Sequence, residues 1–220
     1  MTAKLEKEPT GNRGARLPRD QRRIQLLEAA NDVFTSKGYH AAAMDDIADA
    51  AGVSKPVLYQ HFPSKLDLYL ALLDQSCDRL VEIVEEALAS TDDNADRVVA
   101  TVAAFYEFVS SESGEFRFVF ESDLTGDGAV QQRLSRVNDE ISDAIAEVIA
   151  VDTSLPAPQA RLLAVSLVGI AQVSARYWIS GGTSAITLDE AKQLVSGLAW
   201  RGISGFPLTE HERPIPQPSS

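Results

Sequence analysis

The chain has 220 residues, 45% hydrophobic and 24% charged, enough to bury a sizeable core and too apolar for wholesale disorder. A single cysteine, Cys77, excludes an internal disulfide framework and a cysteine-cluster metal site. The net charge of -12 is unevenly divided: residues 1–66 carry 10 Lys+Arg against 8 Asp+Glu, residues 67–220 carry 10 against 24. Within the first part, Arg13, Arg16, Arg19, Arg22 and Arg23 face Asp20 alone. A basic stripe on an acidic protein lets only one end approach a phosphate backbone; a solvated arm with incidental arginines is the plainer alternative. Near Met1 stand Lys4, Glu6, Lys7 and Glu8, with no apolar run of the signal-peptide kind. The longest charge-free apolar stretch, Leu162 to Ala175, falls short of the ~20 residues a spanning helix needs. The expectation is a soluble, cytoplasmic protein with no membrane partner.

In chain order, residues 1–17 lack periodicity and read as a flexible basic arm. A helix is predicted over Asp20–Lys37, with Ile24, Leu27, Ala30, Val33 and Phe34 at three and four and Gly38 as its stop. Met44, Ile47, Ala48 and Ala51 predict a short second helix closed by Gly52. Ser54 is a cap candidate for a third, with Leu58 and Phe62 inward, and Ser64 caps a long fourth reaching Ser90. Five further helices are expected at Ala95–Ser111, Glu115–Glu121, Ala129–Ala150, Pro158–Ser180 and Leu188–Gly205, separated by Gly, Pro and Asp/Asn breakers. Nothing alternates with period two. The fold class is all-α: an N-terminal three-helix helix-turn-helix unit over 18–65, a larger helical domain over 66–206, and a frayed tail over 207–220.

The second helix, Gly52-Val53-Ser54 and the third helix have the proportions of a helix-turn-helix, whose second helix enters the DNA major groove. Its outward residues would be Lys55, Pro56, Tyr59, Gln60 and His61, and Ser54 at its start is a further DNA-binding candidate. Lys55 and Gln60 suit base edges and Pro56 a thymine methyl. Tyr59, His61 and Lys65 suit phosphates, as do Arg13, Arg16 and Arg19 of the basic stripe. Each has a plainer reading: Tyr59 half-buried on helix 1, His61 a polar helix end, Lys65 a surface lysine.

Gly38-Tyr39, Ile47-Ala48, Ala51-Gly52-Val53-Ser54, Leu58-Tyr59, His61-Phe62 and Ser64-Lys65 resemble the DNA-binding domain of TetR-family regulators. One departure stands out: where many members have a threonine opening helix 2, this chain has Ala42-Ala43. Either that phosphate contact is lost or backbone N–H groups supply it. Gly11-Asn12-Arg13, Arg16 to Asp20, Gly38 to Ala42, Val53 to Phe62, Leu68 to Ala71 and Ala175-Arg176-Tyr177-Trp178 are similar to actinobacterial fatty-acid-synthesis regulators within that family. The resemblance implies a homodimer on double-stranded DNA whose affinity responds to long-chain acyl-CoA. The competing reading is a TetR-type repressor of an efflux or degradation gene sensing another hydrophobic molecule.

For dimerisation the candidates are Pro158–Ser180 and Leu188–Gly205, whose apolar residues (Leu162, Leu163, Val165, Leu167, Val168, Ile170, Leu194, Val195, Leu198, Ile203) spread over more than one face. A helix pair buried in its own subunit is the alternative. A two-fold dimer would place two recognition helices ~34 Å apart and predicts a palindromic operator. Effector-binding candidates are Val102, Phe105, Phe108, Phe116, Phe120, Leu163, Leu167 and Trp178, against the alternative that they are ordinary core. A charged head group would lie near Arg133, Arg136, Arg161 or Arg176.

An enzyme is the rival class. Asp92-Asp93-Asn94-Ala95-Asp96 has the form of a diphosphate-binding metal motif, and Asn138, Ser142 and Glu147 nearly make its partner. Glu147, however, falls about 180° around the helix from Asn138 at 3.6 residues per turn. The first motif reads more simply as an acidic turn capping helix 5. The three histidines show no metal spacing, and no phosphate-cradling glycine loop or nucleophile elbow is present. No catalysis, cofactor or metal is expected.

Overall fold

The computed structural model describes residues 17–111, 114–120, 124, 126–182 and 185–202. They form α1 (Arg19–Ala41), α2 (Met44–Ala50), α3 (Lys55–His61), α4 (Lys65–Ala89), α5 (Asn94–Ser110), α6 (Glu115–Phe120), α7 (Gly128–Thr153), α8 (Ala157–Tyr177) and α9 (Leu188–Arg201). No strand occurs among the described residues. The all-α expectation is met, and each predicted helix is present with ends shifted by a few residues.

The breakers act through local chemistry. Gly38 takes φ 75, a conformation glycine tolerates at no steric cost, so the chain kinks there and one last turn follows to Ala41. Ser64 accepts the Asp67 N–H and Asp93 accepts the Asp96 N–H, so the Asp92–Asp96 run does cap a helix. Asp127 caps α7 on the N–H groups of Ala129 and Val130. Ser54 occupies the cap position of α3 but its side chain makes no capping bond. α8 widens into a π-helical turn at Trp178–Gly182, where the Trp178 indole N–H donates to the Ile186 carbonyl at 2.9 Å.

The core is continuous. Leu26, Ala30, Val33 and Phe34 of α1 meet Ile47, Ala48, Leu58 and Phe62, then Leu68, Tyr69 and Leu72 of α4. α4 belongs to both halves, packing on α1 at its start and on α5, α6 and α7 beyond. Where α1, α4 and α6 converge, the ring of Tyr69 stands edge-on to those of Phe34 and Tyr39, at 5.5 and 5.1 Å, and tilted against Phe118 at 5.3 Å. Arg117 of α6 also donates to the Thr35 carbonyl of α1 at 2.6 Å. Ion pairs Arg133–Asp74 (2.7 Å) and Arg136–Asp78 (3.2 Å) join α7 to α4 in parallel. Burial pushes the Cys77 thiol up to about 12, so it is inert core.

α8 and α9 leave an apolar face uncovered. Leu162, Val165, Val173 and Tyr177 of α8 are 68, 49, 71 and 58% exposed, and Leu194 and Leu198 of α9 are exposed beside them. Residues Ala157–Gly181 are also long and apolar enough to cross a membrane by length and composition, which the charge-free count over Leu162–Ala175 did not register. Arg161 and Arg176 interrupt the run, and Ala160, Ala164 and Ala175 face the core.

Candidate nucleic-acid interface and ligand cavity

α2 and α3 are held at their angle by Ile47, Ala48, Ala51 and Leu58, all buried, across a turn in which Gly52 adopts φ 63. The Val53 N–H donates to Ala48 O at 3.0 Å, and Gln25 of α1 reaches over to donate to Ala51 O at 2.8 Å. Arg22 in turn holds the Gln25 side-chain oxygen at 2.8 Å. This clamp leaves Ser54, Lys55, Pro56, Tyr59 and Gln60 exposed on one side of α3. Pro56 sits in the first turn, where its fixed φ suits a helix start. Lys55 is paired with Asp45 at 2.6 Å, an exposed contact that DNA would have to replace.

His61 is half-buried at the end of α3 beside the basic stripe. Burial holds its imidazole below the ordinary histidine range, and the charges of Arg19, Arg23 and Arg22 push the same way. The Arg23 guanidinium covers the Phe62 ring at 4.3 Å. Arg19 is exposed on the first turn of α1. Arg13 and Arg16 lie outside the described residues.

Two expectations meet a different arrangement. Ala43 stands at the cap of α2 without a side-chain acceptor, and its N–H donates to the Asp46 carboxylate at 3.2 Å. Lys37 also grips Asp46 at 2.9 Å, and with the Ala43 N–H it holds that carboxyl below the usual range. Asp46 thus takes the backbone N–H that opens α2, and Asp45 shares its first turn. Lys65, expected on a phosphate, instead turns inward. Its ammonium donates to the carbonyls of Tyr39 and Ala42, both at 2.8 Å, and lies 4.4 Å from the Tyr39 ring centre. Those carbonyls belong to the end of α1, which a cation stabilises.

The helical domain holds a partly open cavity of about 550 Å³, within the range of small-molecule sites. Of the expected effector residues, Val102, Phe105, Leu163 and Leu167 line it. Phe116 and Phe120, with Phe105, border a neighbouring pocket of about 10 Å³ that side chains nearly fill. Phe108 is buried in the core, and Trp178 packs 6.0 Å from Tyr106, away from the cavity. Sequence reasoning missed Val84 and Leu88 of α4, Val98 and Thr101 of α5, Ile141, Ile145, Val148 and Ile149 of α7, and Trp200 of α9. Their spacing was visible, but wall and core share one helical face. One end of the cavity is polar, formed by Asn94, Arg97, Asp152 and Thr153.

None of the four arginines suggested for a head group lines that space. Arg133 and Arg136 hold Asp74 and Asp78, and Arg161 holds Asp139 and Asp143. Arg176 is exposed and borders only the small pocket. The arginine at the cavity is Arg97, which donates to Leu88 O at 3.2 Å, Asn94 at 2.8 Å and Asp152 at 3.1 Å.

Comparison with known proteins bears directly on this arrangement. Residues 26–72 match the family described as bacterial regulatory proteins, tetR family, and residues 95–202 match the tetracyclin repressor-like C-terminal domain. The chain is 48% identical over 206 residues, 93% of its length and 94% of the relative's, to the HTH-type transcriptional activator FasR of Mycolicibacterium smegmatis. The chain belongs to the TetR family. It is therefore a DNA-binding transcriptional regulator, and its family and this relative are regulators rather than enzymes. A TetR-like regulator from Rhodococcus sp. RHA1 shares 30% identity at a TM-score of 0.64, covering 87% of this chain and 100% of that one. FadR of Bacillus subtilis, solved in complex with stearoyl-CoA, shares the fold at a TM-score of 0.69 and 18% identity, over 82% of this chain and 98% of that one.

Proposed function

We propose that this TetR-family protein is a cytoplasmic, homodimeric regulator of fatty-acid or lipid biosynthesis genes whose hold on a palindromic operator is altered by long-chain acyl-CoA. The observation that carries the reading is the cavity of about 550 Å³, walled mostly by aliphatic and aromatic side chains. The 48% identity to FasR and the fold shared with a FadR that binds stearoyl-CoA support it. Each buried methylene contributes about 0.8 kcal/mol. Moving a two-state equilibrium from 1:99 to 99:1 takes about 5.5 kcal/mol of differential binding, the burial of about seven methylenes.

On the DNA side, Lys55 and Gln60 read base edges and Pro56 meets a thymine methyl. Ser54, Tyr59, His61 and Arg19, with Arg13 and Arg16 of the arm, hold phosphates and set register. The uncovered face of α8 and α9 pairs with its copy, which also accounts for the apolar length of α8.

Fluorescence anisotropy on a fatty-acid synthase promoter fragment, with random DNA as control, tests this. Specific binding altered by palmitoyl-CoA, and not by palmitate or coenzyme A alone, is expected. Specific binding indifferent to all three removes the acyl-CoA reading, and no specific binding to the fragment removes the assigned target.

A further inference from the structure

The polar groups on the cavity wall are almost all occupied. Arg97 is shared among Leu88, Asn94 and Asp152. The Thr153 hydroxyl donates to Ile149 O, the Ser166 hydroxyl to Leu162 O, and the Gln172 amide to Asn138. Thr101 is the exception: it lines the cavity, and its hydroxyl oxygen is buried with no hydrogen-bond partner among the described residues. An unpaired buried hydroxyl carries a desolvation penalty that valine, of the same shape, would not. Thr101 lies four residues along α5 from Arg97, about 6 Å inward from the polar end. A staggered step about χ1 carries the hydroxyl to one of the other two positions on Cβ, so an occupant of the cavity can draw it round.

We propose that Thr101 is a specificity-determining residue that hydrogen-bonds an oxygen, hydroxyl or carbonyl, placed about 6 Å in from the polar end of an otherwise aliphatic ligand. The inference rests on the cavity being the effector site. A plain alkyl chain leaves the Thr101 hydroxyl unpaired; an oxygenated chain at the right depth pairs both partners at once.

Trp200 lines the cavity and is 49% exposed, so intrinsic tryptophan fluorescence of the full chain reports occupancy. The probes are hexadecanoic acid, its 6-hydroxy and 6-oxo derivatives, whose oxygen lies about 6 Å from the carboxyl carbon, and 16-hydroxyhexadecanoic acid, whose oxygen lies at the wrong end. The 6-oxygenated chains are expected to bind roughly two- to tenfold tighter than hexadecanoic acid, and the 16-hydroxy chain no tighter. Thr101→Val abolishes that preference while Thr101→Ser keeps it, and ligand-free Thr101→Val melts at or above the parent temperature. A lower melting temperature for ligand-free Thr101→Val would mean that the hydroxyl has an internal partner, and overturns the proposal. Equal binding of all four probes in parent and variant also overturns it, yet leaves the cavity reading intact. If no probe changes the fluorescence, the cavity reading fails and the proposal with it.

Discussion

Gly114, the residue before α6, takes φ 70, and a Cβ placed there would sit 2.7 Å from the Thr35 methyl of α1. Gly114→Ala therefore meets two separable penalties. The left-handed backbone costs a residue with a Cβ about 1–2 kcal/mol, and overpacking against Thr35 costs about 1–3 kcal/mol more. Thr35 cannot turn its methyl aside cheaply, because its hydroxyl donates to Asn31 O at 2.7 Å. The combined loss is about 2–5 kcal/mol, which lowers Tm by roughly 4–20 °C at about 2–4 °C per kcal/mol for a chain of this size. Thr35→Ser deletes the obstructing methyl and keeps the hydroxyl. Added to Gly114→Ala, it recovers the overpacking share and leaves the backbone share in place. Urea unfolding of the four proteins as a double-mutant cycle reads a rescuing coupling of about 1–3 kcal/mol. Zero coupling would show that the collision is not the cause. A Gly114→Ala protein as stable as the parent would refute both parts of the reasoning.

Further predictions concern His61, Lys65 and the uncovered α8 face. His61 is held below the ordinary histidine range in the folded chain, so between the unfolded and folded pKa the unfolded chain binds more protons and stability falls as pH drops below about 6.5. His61→Gln should flatten that part of the stability profile; an unchanged slope assigns it to other groups. If phosphates approach His61 in the complex they favour its protonated form, so DNA affinity should rise over the same fall in pH, and in the glutamine variant it should not. Lys65→Ala should lower Tm by removing charge-assisted bonds worth about 1.5–3 kcal/mol each and leave the salt slope of non-specific DNA binding unchanged. A slope reduced by about one unit at constant Tm would instead give Lys65 a phosphate. Val173→Asp, on the uncovered α8 face, should yield a 23.8 kDa monomer by sedimentation and abolish tight operator binding; a variant that remains dimeric places the interface elsewhere.

Helix number and order were legible because short-range rules governed them. Glycines at positive φ such as Gly38 and Gly52, caps such as Ser64, and apolar residues at three and four act within a turn or two of chain. The outward set on α3 followed from the same periodicity once Leu58 and Phe62 were assigned inward. What stayed hidden depends on distant chain. Lys65 read as a phosphate contact because its acceptors, Tyr39 and Ala42, lie more than twenty residues earlier. Gly114 read only as a breaker, since Thr35 meets it across the joint between the two halves. The cavity was hardest, because Phe108 in the core and Phe105 on the wall carry the same side chain on one helix. Which apolar stripe leaves space is set by three-dimensional packing, not by spacing.

α8 and α9 work as a partition with two wetted sides. Leu163, Leu167 and Trp200 face the cavity, while Leu162, Val165 and Leu198 look outward from neighbouring turns of the same helices. A thin wall cannot be loaded on one side without being felt on the other. Where the outward side joins a second copy, effector affinity and self-association become reciprocal quantities: whatever factor the ligand applies to assembly, assembly applies to the ligand. The apparent dissociation constant of a cavity ligand then drifts with protein concentration, so the abundance of the protein itself sets the ligand level at which it responds.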